Sequence, residues 1–210
     1  MSKTIFQWVY GVVLATLLVA VPFLYFRWQY DHGKRLRVVT PGRVYRAGQL
    51  TADGLADAVR RLGIRTVVNL QNEFPDPTLD NGCRESDFVR SLGIHYVFID
   101  VDLLPGPMPE TRPQAIDDLL QVMDDPDNYP VLFHCRAGLH RTGVLIGVYR
   151  MEYERWTRDE AIRELKEHGF GISEATARND YIQQYLLLYQ PRARRDRASA
   201  AATVGAHTAP

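Results

Sequence analysis

Five residues separate Cys135 from Arg141 in the run His134-Cys135-Arg136-Ala137-Gly138-Leu139-His140-Arg141-Thr142-Gly143. A short apolar run, 130–133, leads into it, and a helix-length apolar run, 144–149, leads away. The spacing predicts a strand, a tight loop and then a helix. Such a loop can fold back until sulfur and guanidinium face one point, with the intervening backbone N–H groups converging there as an anion nest at a helix N-terminus. The point so defined is the size of a phosphate. Gly138 supplies backbone angles that a side chain would forbid, and Gly143 lets the first helical turn approach its neighbours. Cysteine attacks as the thiolate, which a helix N-terminus and a nearby arginine favour. The competing reading of Cys135 is a buried structural thiol. It requires strand, glycines, Arg141 and Thr142 to coincide by chance.

The surrounding chain has the elements needed to hold such a loop. Residues 44–46 read as a short strand, and Thr51 caps a helix over 52–62 that buries Leu55, Val59 and Leu62 and stops at Gly63. Residues 64–70, β-branched at Thr66, Val67 and Val68, read as a buried strand. After a loop at 72–82, a helix over 85–92 ends at Gly93 and a strand occupies 94–101. Leu62-Gly63-Ile64 and Leu92-Gly93-Ile94 are one helix-to-strand junction used twice. A proline-rich loop at 103–109 precedes a helix running from 111 to 123. The helix after the cysteine loop spans about 141–155, Thr157 to Glu160 forms a capping box, and Ser173-Glu174 opens a last helix that ends before Pro191. Strands alternating with helices imply an α/β fold: a central, largely parallel sheet of about four to five strands with helices on both faces.

With 46% hydrophobic and 24% charged residues, 210 residues suffice for one sizeable domain with appendages. Zero formal net charge gives no reason to expect nucleic acid as a partner. Residues 5–26 carry no charge and are long enough to cross a hydrocarbon core of roughly 30 Å, with aromatic residues at both ends, Tyr30 among them. The alternatives are a cleaved signal or a buried core helix; the length of the run and the poor cleavage site at Val19-Ala20-Val21-Pro22 favour an anchor. Lys3 lies before the span and Arg27, Lys34, Arg35 and Arg37 after it, so the body is expected in the cytoplasm. The expected organisation is an anchor at 1–30, a polar linker at 31–42, a domain at 43–190 and a disordered tail at 191–210, whose arginines from Arg192 onward are solvated or touch anionic lipid. Cys83 and Cys135 make no disulfide framework; Cys83 reads as an ordinary thiol, or as a redox cap on Cys135. His134 and Cys135 are adjacent with no further Cys/His pair at ligand spacing, which argues against zinc.

The loop, with its pattern of His-Cys, five residues, Arg and Thr, resembles that of the cysteine-dependent protein phosphatases. Together with Val44-Tyr45-Arg46-Ala47-Gly48-Gln49 and Val67-Val68-Asn69-Leu70, it is similar to the atypical dual-specificity phosphatases of bacteria, plants and fungi, over about 43–189. The resemblance implies a phosphotyrosine protein phosphatase-like fold and no cofactor. It makes Cys135 the nucleophile and gives Arg141 two equatorial oxygens to grip. The loop positions Arg136, Ala137, Gly138, Leu139, His140 and Arg141 would bind the rest of the phosphate. Thr142 would donate toward the sulfur and His134 would orient the loop, while His140 packs the loop or its rim. The general acid would be an upstream Asp, either Asp100 or Asp102; Asp102 is preferred because it adjoins the proline-rich loop. Gln71 stands where members often have Arg, and Leu139 where lipid- and inositol-directed members commonly have a second basic residue. The expected activity is a membrane-anchored phosphatase acting on phosphotyrosine and on phosphoserine or phosphothreonine. A phosphoinositide or inositol phosphate is the second reading, and a silent phospho-binding module the third.

Overall fold

Val131–His134 is buried along its whole length and forms β5, the middle strand of the sheet. A strand apolar on both faces needs a layer on each side, and the computed structural model, which describes residues 3–72, 82–101, 113–171 and 183–192, supplies both. The helices are α1 (Lys3–Gly33), α2 (Ala52–Leu62), α3 (Glu85–Ser91), α4 (Gln114–Asp124), α5 (His140–Tyr153), α6 (Arg158–Glu167) and α7 (Gln183–Leu188). The remaining strands are β1 (Arg37–Thr40), β2 (Val44–Ala47), β3 (Thr66–Asn69) and β4 (His95–Phe98). The sheet order is β1-β2-β5-β3-β4, with only β1 antiparallel. Side chains alternate faces along each strand. Val44, Val68, Val131 and Phe133 pack with α4, α5 and α6, whereas Tyr45, Val67 and Leu132 pack with α2 and α3. This is the expected α/β sheet with helices on both faces.

Local chemistry sets the helix ends. Thr51 accepts from Gly54 N–H at 3.2 Å and Gly63 closes α2 in a left-handed conformation. Thr157 and Glu160 form the reciprocal capping box of α6.

Two expected boundaries are corrected. The linker at 31–42 is not a spacer: α1 continues to Gly33, and β1 pairs along β2 with Val39 buried in the core. Its arginine-rich flanks hid a four-residue edge strand that buries one valine. The tail does not begin at 191. Pro191 is buried, and the Arg192 guanidinium donates to both Asp124 oxygens at 2.6 and 2.8 Å and to Glu152 at 2.5 Å. A bidentate pair plus a second carboxylate makes Arg192 a clamp on α4 and α5. The clamp, led by the hydrogen bond to Arg192, holds the Asp124 carboxyl below the usual range. The loops at 73–81 and 103–109, the start of the last helix at Ser173-Glu174 and residues 193–210 lie outside the described residues.

Residues 5–28 of α1 form a 24-residue apolar stretch in which an 18-residue window reaches a mean hydropathy of 2.2, none of it buried. A core helix would be covered by the body, so that alternative is removed.

Candidate active site

Parallel strands end together. Ala47 of β2 and Asn69 of β3 flank His134 at the end of β5, and Phe98 of β4 lies beside Asn69. The chain segments leaving these strands therefore meet at one edge, where open α/β sheets bind ligands. Leu70 N–H donates to His134 O at 2.9 Å, and Ile99 N–H to Asn69 O at 3.0 Å.

Three successive carbonyls of the loop from Cys135 to Leu139 are held from outside. Gln49 N–H reaches Arg136 O at 3.3 Å, Arg35 reaches Ala137 O at 2.9 Å, and Arg46 reaches Gly138 O at 2.9 Å. A trans peptide is planar, so its N–H points opposite to its carbonyl. Tying these carbonyls outward turns the N–H groups of Ala137, Gly138 and Leu139 the other way. One of them, Gly138 N–H, donates to Cys135 Sγ at 3.3 Å. The loop is thus a nest around a buried sulfur.

Arg141 lies in the first turn of α5, and its Nε donates to Val101 O at 3.4 Å. Cys135, Arg136, Ala137, His140 and Arg141 line one pocket of about 310 Å³ together with Tyr30, Lys34 and Arg35. That volume is larger than one phosphate group requires. His140 meets Phe170 edge-on at 5.6 Å; burial first, and then the Arg141 and Arg35 charges, push its imidazole below its ordinary pKa. Cys83 and Cys135 are both free thiols. Among the described residues no cluster of His, Cys, Asp or Glu is arranged to hold a metal.

His134 is fully enclosed, with Nε2 2.6 Å from Glu85 Oε1. Leu139 precedes α5 and packs near Gly169. The Thr142 hydroxyl is buried and meets no hydrogen-bond partner among the described residues, while the sulfur accepts from Gly138 N–H. Asp100 is exposed next to Val101, and Asp102 lies outside the described residues.

Sequence reasoning missed several contributors. Glu85 locks His134, and Arg46 lies buried beneath the loop, where burial above all lowers its pKa to about 10 and leaves it charged at neutral pH. Arg46 stood in a recognised motif without a role; for Glu85 no local pattern gives a signal. Tyr30, Lys34 and Arg35, read as membrane flank, line the pocket.

The model of the tyrosine phosphatase family matches residues 35–199. The chain belongs to the tyrosine phosphatase family. Similar family proteins include an inositol diphosphatase of Oryza sativa subsp. japonica (DSP1), 34% identical over 54% of this chain and 47% of that one. Another is the inositol diphosphatase SIW14 of Saccharomyces cerevisiae, 24% identical over 70% of this chain and 48% of that one. The match spans only about half the length of these curated relatives. Among solved structures, the Siw14 catalytic core superimposes with a TM-score of 0.60 at 22% identity, covering 81% of this chain and 93% of that one. TpbA of P. aeruginosa gives 0.57 at 21% identity, covering 75% and 86%. These two show the shared tyrosine phosphatase fold.

Proposed function

We propose that the chain is a membrane-anchored phosphatase that works through a cysteinyl-phosphate on a phosphorylated inositol, free or lipid-borne, ahead of phosphotyrosine. The observation that carries the mechanism is the loop geometry: an N–H of the nest meets Cys135 Sγ, and Arg141 lines the same pocket. Sulfur attacks phosphorus in line; the S–P bond forms as the P–O bond to the leaving group breaks, and a general acid protonates the departing oxygen. Water then attacks phosphorus with the same group as base, releasing phosphate and returning the thiolate. The nest and Arg141 bear the charge on the equatorial oxygens in both steps. His134, held by Glu85, fixes the strand end from which Cys135 projects.

Charge on the pocket supports a substrate order opposite to the one expected from sequence. Lys34, Arg35 and Arg136 line it in addition to Arg141, more than one phosphate monoester requires, and the relatives named above are inositol diphosphatases. Leu139, apolar where inositol-directed members are commonly basic, is the observation on the side of phosphotyrosine, with phosphoserine and phosphothreonine behind it. Phosphate release by the full chain in nanodiscs, measured across inositol phosphates, phosphoinositides and phosphopeptides, decides. Faster turnover of phosphotyrosine peptides than of every inositol compound would reverse the order.

Asp102 is the proposed acid, supported by the contact between Arg141 and Val101 O, one residue before it. Asp102→Asn is expected to lower turnover about a hundred-fold on substrates with poor leaving groups and far less on activated aryl phosphates. Full activity of that variant on such substrates, with Asp100→Asn inactive, would transfer the role to Asp100.

The anchor reading rests on the uncovered apolar helix, which at 1.5 Å per residue spans about 36 Å, and the basic flank after it supports a cytoplasmic body. Protease added to intact cells should therefore spare the body; digestion there refutes the orientation.

A further inference from the structure

The end of α1 and the two residues after it form a wall of the pocket around Cys135, through Tyr30, Lys34 and Arg35. This wall is fastened to the catalytic edge. Gly48 N–H donates to Lys34 O at 2.7 Å, and Arg35 donates to Ala137 O at 2.9 Å. Arg35 has φ of 53°, a left-handed conformation that a side chain disfavours and that the surrounding contacts must hold. The Lys34 ammonium lies 5.8 Å from the centre of the Tyr30 ring. None of the ion pairs among the described residues uses Lys34 or Arg35. Two cations are thereby placed beside a nest that already has Arg141 for the phosphate under attack. Cations gathered on one pocket wall repel one another and draw anions in.

We propose that Lys34 and Arg35 form a second anion subsite, so that the substrate presents a second phosphate beside the one that Cys135 attacks. The proposal rests on the phosphatase reading above. Two sources fit this chemistry: a lipid headgroup and a free inositol phosphate. Tyr30 is only two residues past the apolar stretch, about 3 Å along a helix, which sets the subsite at headgroup depth if α1 crosses a bilayer.

The test uses the full chain in nanodiscs and three probes: an aryl monophosphate, inositol bisphosphate in solution, and phosphatidylinositol bisphosphate in the nanodisc. Lys34 is varied alone, because Arg35 also holds the Ala137–Gly138 peptide. Lys34→Gln is expected to lower kcat/KM about tenfold on a bisphosphate, mainly through KM, as for loss of one charge-assisted contact, and at least about fivefold less on the aryl monophosphate; Lys34→Arg restores it. A loss confined to the nanodisc lipid supports a headgroup subsite, and a loss on soluble inositol bisphosphate as well supports a subsite for free inositol phosphates. Equal losses on the monophosphate and both bisphosphates, no loss on either bisphosphate, or no rescue by Lys34→Arg overturns the subsite while leaving the phosphatase intact. Failure of the unmodified chain to release phosphate from any of the three probes overturns the phosphatase reading itself.

Discussion

A Cys135→Ser protein is expected to lose turnover by a factor on the order of 10⁴ or more, as when a nucleophile is removed, while still binding inorganic phosphate within a few-fold of the unmodified chain. The two halves of this result have separate causes. Among the described residues the sulfur accepts from Gly138 N–H at 3.3 Å, a donor that stabilises negative charge on its acceptor. A serine hydroxyl remains un-ionised near neutral pH and needs an adjacent base, and no basic side chain hydrogen-bonds at this position among the described residues. The parts proposed to hold phosphate are untouched: the three loop carbonyls are tied back by Gln49, Arg35 and Arg46, and Arg141 lines the pocket. Single-turnover phosphate release and calorimetry with inorganic phosphate measure the two halves. Residual turnover above about one per cent of normal is incompatible with a cysteinyl-phosphate route.

Gly138→Ala is expected to be nearly as damaging to activity, by a purely steric route. Gly138 has φ of 68°, and a Cβ there would lie 2.5 Å from Gly48 N and 2.6 Å from both Ala47 C and Ala47 O. All three are backbone atoms at the end of β2 and just beyond it, so no side chain can swing aside. The left-handed conformation alone costs an alanine about 1–2 kcal/mol. Relieving the overlap must also move the loop away from the strand, and a misplacement of about 1 Å at a reacting centre costs on the order of 100-fold in rate. Gly63→Ala is the control. It has the same sign of φ at 64°, but its Cβ would meet nothing within 4 Å, so about 1–2 kcal/mol of stability is lost with activity retained. Thermal unfolding and steady-state turnover of both variants check this; a fully active Gly138→Ala would show that the loop does not need its seat on β2.

The cysteine loop was legible because its determinants are adjacent in the chain: strand, turn glycine, arginine and helix fall within one short run. Thr51, Gly63 and the Thr157–Glu160 box were legible for the same reason. The groups that brace the loop were not. Glu85 meets His134 across 49 positions, Arg46 meets Gly138 across 92 and Arg35 meets Ala137 across 102, and no periodicity in composition marks such pairs. Strand β1 escaped because an edge strand needs only one apolar face and here buries only Val39 fully. The Gly138 amide that meets the sulfur carries no mark in the sequence beyond the glycine itself, because a backbone N–H is common to all residues but proline.

The central position of β5 has a consequence for biosynthesis. Strand β2 pairs on one side with antiparallel β1, its immediate neighbour in the chain, but its other edge waits for β5, whose His134 registers with Ala47. The partner is roughly ninety residues further along, so at about 5–20 residues per second a ribosome needs on the order of ten seconds to deliver it. During that interval α1 has left the ribosome, and the inner edges of β2 and β3 are open to strands from other chains. A nascent chain stalled before residue 131 should therefore bind a holdase chaperone, and one extended far enough past residue 134 for β5 to emerge from the ribosome should release it.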